Sequence, residues 1–147
     1  MTTPARSASR IIPSLRYRDA PAAIDWLCRV FGFERHLVVP DERGGIVHAQ
    51  LTLGGGMVML GSDSPTPPWS ELIRSPDMNA PATQCLCIVV PDVDRVYAQV
   101  QQAGGRIVDP VADKEYGGRG FGCRDPQGQL WFVGSYDPWA DPATAGS

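Results

Sequence analysis

The sequence predicts an α+β fold built from two tandem βαβββ modules. Three observations carry that prediction. First, Tyr116 to Trp139 reads as a β-hairpin: strand Gly120–Arg124, turn Asp125-Pro126-Gln127-Gly128, returning strand Gln129–Ser135. Proline at the second turn position presets φ, and glycine supplies a residue free to take φ > 0. The returning Leu130, Trp131, Phe132 and Val133 suit a half-buried pleated surface. Second, the chain matches itself when shifted by 73 residues: Asp19 falls on Asp92, Gly32 on Gly105, Gly44-Gly45 on Gly117-Gly118, Gly55 on Gly128 and Gly61-Ser62 on Gly134-Ser135. No gap is needed between residues 12 and 62. Third, each copy carries a helix signal after its first strand. Two copies at this period indicate a duplicated module, not a solenoid.

Each element has its own signal. Residues 1–10 are polar and are expected to be a disordered tail. Ile11 to Tyr17 reads as the first strand. Asp19 is an N-cap, and Pro21 fits a first helical turn. Ile24, Leu27, Cys28 and Phe31 recur at helical spacing and give one apolar face. Gly32 ends the helix. Glu34 to Val39 is the second strand. Ile46 to Leu53 alternates, with Val47, Ala49, Leu51 and Leu53 on one side and His48, Gln50 and Thr52 on the other. Gly54-Gly55-Gly56 turns the chain into Met57–Leu60. Residues 63–82 hold five prolines and a lone Trp69, and read as a tether between modules, with a lid on the pocket as the weaker alternative and one helical turn at Ser70–Arg74. Gln84–Val90 then opens the second module. Its helix presents Val93, Val96, Tyr97 and Val100, Gly104-Gly105 stops it, and Arg106–Val111 precedes the closing hairpin. Residues 11–62 and 83–137 are thus the two modules of a single domain, and residues 138–147 are expected to be flexible.

Composition narrows the function. Thirteen Lys+Arg against sixteen Asp+Glu give a net charge of −3, with no basic stripe to follow a nucleic acid. No apolar run is long enough to span a membrane, and the first ten residues lack the apolar core of a signal peptide. A cytoplasmic location is expected, so the four cysteines are expected to be thiols.

The βαβββ order, Arg18-Asp19 opening the first helix, Phe31-Gly32-Phe33 closing it, and the Asp125-Pro126-x-Gly128-x-x-Trp131 hairpin together resemble a known family. It is the glyoxalase / bleomycin-resistance / extradiol-dioxygenase superfamily, the vicinal oxygen chelate fold. Ile12-Pro13-Ser14-Leu15-Arg16-Tyr17-Arg18-Asp19 and His48-Ala49-Gln50-Leu51 look most like its PhnB-like branch. The resemblance spans residues 10–137. It implies a curved, cup-like mixed sheet with helices outside, a homodimer whose modules close each cup, and a small-molecule ligand or substrate.

Strand alternation then separates two faces. The more apolar set faces the helices. The opposite set contains Ile12, Ser14, Arg16, His48, Gln50, Met57, Met59, Cys85, Cys87, Phe121, Cys123, Leu130 and Phe132, which would line the cup. Trp69, in the loop, is a further candidate. An apolar and aromatic wall with a few polar groups is the usual make-up of a small-molecule site.

Metal-using members of the family bind a divalent ion through His or Glu on the first and last strand of each module. Those positions here are Ile12, Met59, Cys85 and Phe132. They offer no carboxylate and no imidazole, so no metal or other cofactor is expected. A metal-free binding protein for aromatic or drug-like molecules is the leading expectation. The alternative is an enzyme, of lyase or dioxygenase type or using His48 for acid–base work. The favoured role of His48 itself is to hydrogen-bond a neighbour such as Gln50 and orient a ligand. Cys85, Cys87 and Cys123 read as small hydrophobes, with a zinc site including His48, or a Cys–His nucleophile pair, as weaker alternatives. The glycines at 117, 118, 120 and 122 lack the lysine and following helix of a phosphate loop. They read as places of close backbone approach or a bulge where the sheet bends.

Overall fold

A computed structural model describes residues 8–140, so residues 1–7 of the expected tail and 141–147 of the expected flexible end lie outside it. The chain divides into two compact units, the first ending at Ser75 and the second beginning at Pro76. The first unit runs β1 (Ser14–Tyr17), α1 (Ala20–Phe31), β2 (Glu34–Pro40), β3 (Ile46–Leu53), β4 (Gly56–Ser62) and a single turn, α2 (Trp69–Leu72). The second runs β5 (Leu86–Val89), α3 (Val93–Gln102), β6 (Arg106–Asp113), β7 (Arg119–Arg124) and β8 (Leu130–Gly134). Each has one four-stranded mixed sheet, in the order β1-β4-β3-β2 and β5-β8-β7-β6. The first strand of each unit pairs parallel with the last, and the remaining pairs are antiparallel.

The helices begin and end where their chemistry dictates. Asp19 accepts a hydrogen bond from Ala22 N and Asp92 from Arg95 N, both at 3.2 Å, satisfying donors that have no partner inside the helix. Gly32 closes α1 at φ +85°, a left-handed conformation that suits glycine. One face of α1 buries Ile24, Leu27, Val30 and Phe31, with Trp26 set edge-on to Phe31 at 5.1 Å. They cover Leu15, Tyr17, Ala49, Leu51, Val58 and Leu60, all buried. Each such large side chain contributes roughly 1.5–3 kcal/mol by leaving water.

The duplication is repeated bond for bond at several points. Ser62 Oγ accepts from Ile46 N at 2.9 Å, and Ser135 Oγ from Arg119 N at 3.0 Å. Asp41 N donates to Gly45 O and Lys114 N to Gly118 O, both at 2.9 Å.

The repeat is nevertheless not gapless. Leu60 and Val133 are 73 positions apart, but their strand partners Ala49 and Phe121 are 72 apart. Two one-residue differences cancel. In the first unit Val47 is an added residue, because Val39 pairs with His48 while Pro40 pairs with Ile46. Val47 bulges out, 59% exposed, and Ile46 takes the buried position. In the second unit the closing turn is longer. Asp125 and Gln129 enclose three residues, whereas Leu53 and Gly56 enclose two.

A one-residue slip sends every side chain of a strand to the other face. Phe121 and Cys123, expected to line the cup, therefore face α3 beside their partners Val133 and Trp131. All four are fully buried, and the Phe121 ring meets Tyr97 of α3 edge-on at 5.0 Å. Gly120, Gly122 and Arg124 take the open face in their place.

The segment between the modules is shared by the two units. Asp63 accepts from Ser75 N at 2.6 Å and Ser75 Oγ at 2.8 Å, closing a loop within the first. In the second, Arg124 donates to Gly128 O and Ala80 O at 2.8 Å and to Asp77 O at 3.4 Å. At the other end, Ser9 N donates to Gly55 O at 2.9 Å, so the last residues of the expected tail are held against the β3–β4 turn.

Candidate functional site

The face of each sheet turned away from its helix carries the candidate residues. In the first unit, strand pairing sets them in rows. Arg16 on β1 pairs with Gly61 on β4, and His48 on β3 follows across the sheet. The next row is Ser14, Met59, Gln50 and Leu37, and the third holds Met57, Thr52 and Glu34. Ile12 precedes β1 and is 36% exposed. Strand β1 is paired only from Ser14, later than its apolar start at Ile11 suggests: Pro13 O accepts from Met59 N at 2.9 Å, but Pro13 has no N–H to extend the ladder further.

His48 and Gln50 are in contact, with Gln50 Nε2 3.0 Å from His48 Nε2. In the tautomer protonated on Nδ1, the ring nitrogen accepts from the Gln50 amide. The Arg16 guanidinium lies across Gly61: a Cβ at Gly61 would meet Arg16 Nη1 at 2.9 Å. Nη1 donates to Ser62 O at 3.3 Å. Arg16 Nε is buried with no hydrogen-bond partner among the described residues.

In the second unit the open face holds Cys87 beside Phe132, and Val89 beside Gly134. Cys85, just before β5, has the same parity as Cys87, and its thiol lies 3.9 Å from Leu86 O. Both cysteines are exposed as residues. The Cys85 thiol is still screened enough that desolvation, then the neighbouring Cys87, raises its pKa. Cys123, on the buried side, is pushed up to about 12 by desolvation, with Asp125 and Cys85 adding to the shift.

The Phe132 ring lies on two glycines. A Cβ at Gly120 would meet Phe132 Cζ at 2.7 Å, and one at Gly134 would meet Cε1 at 3.2 Å. Lys114 Nζ sits 5.6 Å from the ring centroid and is paired with Asp109 at 3.1 Å. Strand alternation does not point to Lys114, which reaches the ring from just beyond β6. Trp69 stands on α2, 56% exposed and outside both sheets.

The positions to which the resemblance assigns metal ligands are Ile12, Met59, Cys85 and Phe132. Isoleucine and phenylalanine have no donor atom. A thioether and a thiol whose pKa is raised are poor partners for the hard-to-borderline divalent ions the fold uses. Arg16, on the same face as Met59, adds a positive charge. The residues present do not fit that ion. Among the described residues, no three His, Cys, Asp or Glu side chains gather as a ligand group elsewhere. No helix among them is long and apolar enough to cross a membrane.

Comparison with known proteins agrees with this architecture. TioX from Micromonospora sp. ML1 is 35% identical, superposes with a TM-score of 0.63, and is matched over 86% of this chain and 98% of its own. A glyoxalase-related enzyme from Fulvimarina pelagi shares the fold at 16% identity, with a TM-score of 0.65 and 86% of each chain covered. An uncharacterized protein of Mycobacterium tuberculosis (strain ATCC 25618 / H37Rv) is 30% identical over 83% of this chain and 71% of its own length. Residues 10–133 match the Glyoxalase/Bleomycin resistance protein/Dioxygenase superfamily as a whole, without singling out a branch. With its duplicated βαβββ unit and this match over most of its length, the chain belongs to the Glyoxalase/Bleomycin resistance protein/Dioxygenase superfamily.

Proposed function

We propose that this protein binds an aromatic, drug-sized small molecule without a metal ion, and does so as a homodimer. The observation that carries the reading is the side-chain set at the four metal-ligand positions of the fold: Ile12, Met59, Cys85 and Phe132. Hydrocarbon and sulfur there favour an apolar or aromatic guest over a hydrated dication. Met57 and Met59 add adaptable apolar surface, while Ser14, Arg16, His48 and Gln50 offer the few polar contacts that orient a ligand. The dimer is supported by β2, an edge strand exposed along its whole length that displays Leu37, Val38 and Val39. Unpaired apolar edges of this kind are usually covered.

The test is a titration of purified protein against a panel of planar aromatic compounds, followed by tryptophan fluorescence and calorimetry. Saturable binding by at least one scaffold is expected. No saturable binding across a broad panel would overturn the reading. Light scattering should return twice the chain mass, and a monomer at all concentrations would remove the dimer.

A second reading is favoured by one observation, the 3.0 Å contact that holds the His48 ring against Gln50. A fixed imidazole is suited to moving a proton, which would make the protein a metal-free acid–base enzyme. Turnover of a bound compound that is lost in His48→Gln but kept in Cys87→Ser would establish it.

A further inference from the structure

We propose that the ligand carries a carboxylate and that Arg16 is its anchor, an inference that rests on the small-molecule reading above. Arg16 is only part-exposed, yet it makes no ion pair among the described residues. Its one protein acceptor there is the carbonyl of Ser62, at 3.3 Å. Nε is buried and unpartnered. Leaving a buried donor unmatched is unfavourable, and such groups in folded proteins are generally completed by something outside the chain.

The neighbouring acids are already accounted for. Glu34 has open-face parity but stands on β2, at the opposite edge of the sheet from β1. Three strand spacings separate them, about 14 Å. Asp41 Oδ1 accepts from Arg43 N and Gly45 N, each at 2.7 Å.

The surroundings of the guanidinium are shaped for a guest. Gly61 gives it a bare strand to lie across, so no side chain separates Arg16 on β1 from His48 on β3. His48 engages Gln50 through Nε2, at 3.0 Å, and makes no other side-chain hydrogen bond among the described residues. Arg16 and His48 thus stand on either side of the bare Gly61, beside the apolar Met59 of the next row.

A planar monoanion matches this set better than a phosphate does. A guanidinium fork fits a carboxylate edge to edge. Among the described residues, no second lysine or arginine falls in the paired rows of this face to balance a second negative charge.

The experiment compares 2-naphthoate with 2-naphthamide, which share a ring system and differ in charge, by calorimetry on the full chain. Wild type is expected to prefer the naphthoate at least tenfold, and raising salt should erode that preference. Arg16→Gln should lower naphthoate affinity to the naphthamide level and leave naphthamide unchanged, and Arg16→Lys should keep part of the preference. Circular dichroism and urea midpoints for both variants check that they fold. Equal affinity for the two probes in wild type, or an undiminished preference in folded Arg16→Gln, overturns the anchor while the binding reading stands. Failure of wild type to bind either probe overturns the anchor, and extension of that failure to the whole aromatic panel overturns the binding reading as well.

Discussion

Trp131 Nε1 donates to Asp125 Oδ2 at 3.1 Å, and that bond explains why the closing hairpin spells Asp-Pro-x-Gly-x-x-Trp. The other carboxylate oxygen of Asp125 accepts from Gln127 N and Gln129 N at 3.0 and 3.1 Å. One buried side chain therefore closes the turn and fixes the indole of the returning strand. Gly128 sits at φ +101° with Met78 packed against it, a place where a side chain would be both strained and crowded. Asp125→Asn presents an amide N–H₂ to one of these donors and should lower stability by about 1–3 kcal/mol. Urea unfolding checks this, and an unchanged midpoint would mean that the hairpin closes without the carboxylate.

The two phenylalanines of this hairpin should behave oppositely. Phe121 is fully buried against Tyr97, so Phe121→Ala should cost about 3–5 kcal/mol. Phe132 is part-exposed on the open face, so Phe132→Ala should cost about 1 kcal/mol or less. Comparable losses would contradict the assignment of faces in β7 and β8.

Gly120 and Phe132 should be coupled. A methyl at Gly120 would fall 2.7 Å from Phe132 Cζ, so Gly120→Ala must displace the ring. Overpacking of this kind costs about 1–3 kcal/mol. In the Phe132→Ala background the same substitution should cost markedly less, and a double-mutant cycle reads the difference. Strict additivity would show that the ring does not rest on the glycine.

The cysteines should sort by face and by pH. Cys85 and Cys87 should react with a disulfide reagent in the native protein at pH 8, while Cys123 should react only after unfolding. Cys123 is held neutral up to about 12, against 9.0 for an ordinary thiol. The unfolded chain therefore releases this proton first as pH rises. The stability it contributes is complete below pH 9 and is lost between pH 9 and about 12, with a slope of at most about 1.4 kcal/mol per pH unit. Cys123→Ala should flatten that alkaline decline, and an identical decline in the variant would assign it to other groups.

Much of this architecture is legible in the sequence. Local signals suffice where the physics is local. Asp19 and Asp92 cap their helices, Gly32 ends α1, and the apolar spacing of α1 turns Ile24 and Leu27 inward. The open-face positions of Arg16, His48, Gln50 and Met59 follow from alternation alone. The faces of Phe121 and Cys123 were not legible. Alternation carries parity only within an unbroken strand, and the 73-residue register looks gapless because the bulge at Val47 and the longer turn after Asp125 offset each other. The burial of Arg124 by carbonyls at Asp77, Ala80 and Gly128 is a tertiary fact, invisible to spacing.

The central claim is that recognition here needs no dication, and binding with and without metal tests it most directly. Protein dialysed against a strong chelator is titrated with the aromatic panel, then again after addition of Ni²⁺, Zn²⁺, Fe²⁺ or Mn²⁺. Saturable binding by the chelated protein is expected, with an affinity that none of the four ions changes. Binding that appears only when a metal is restored, or one tightly held ion per chain in the protein as purified, would contradict it.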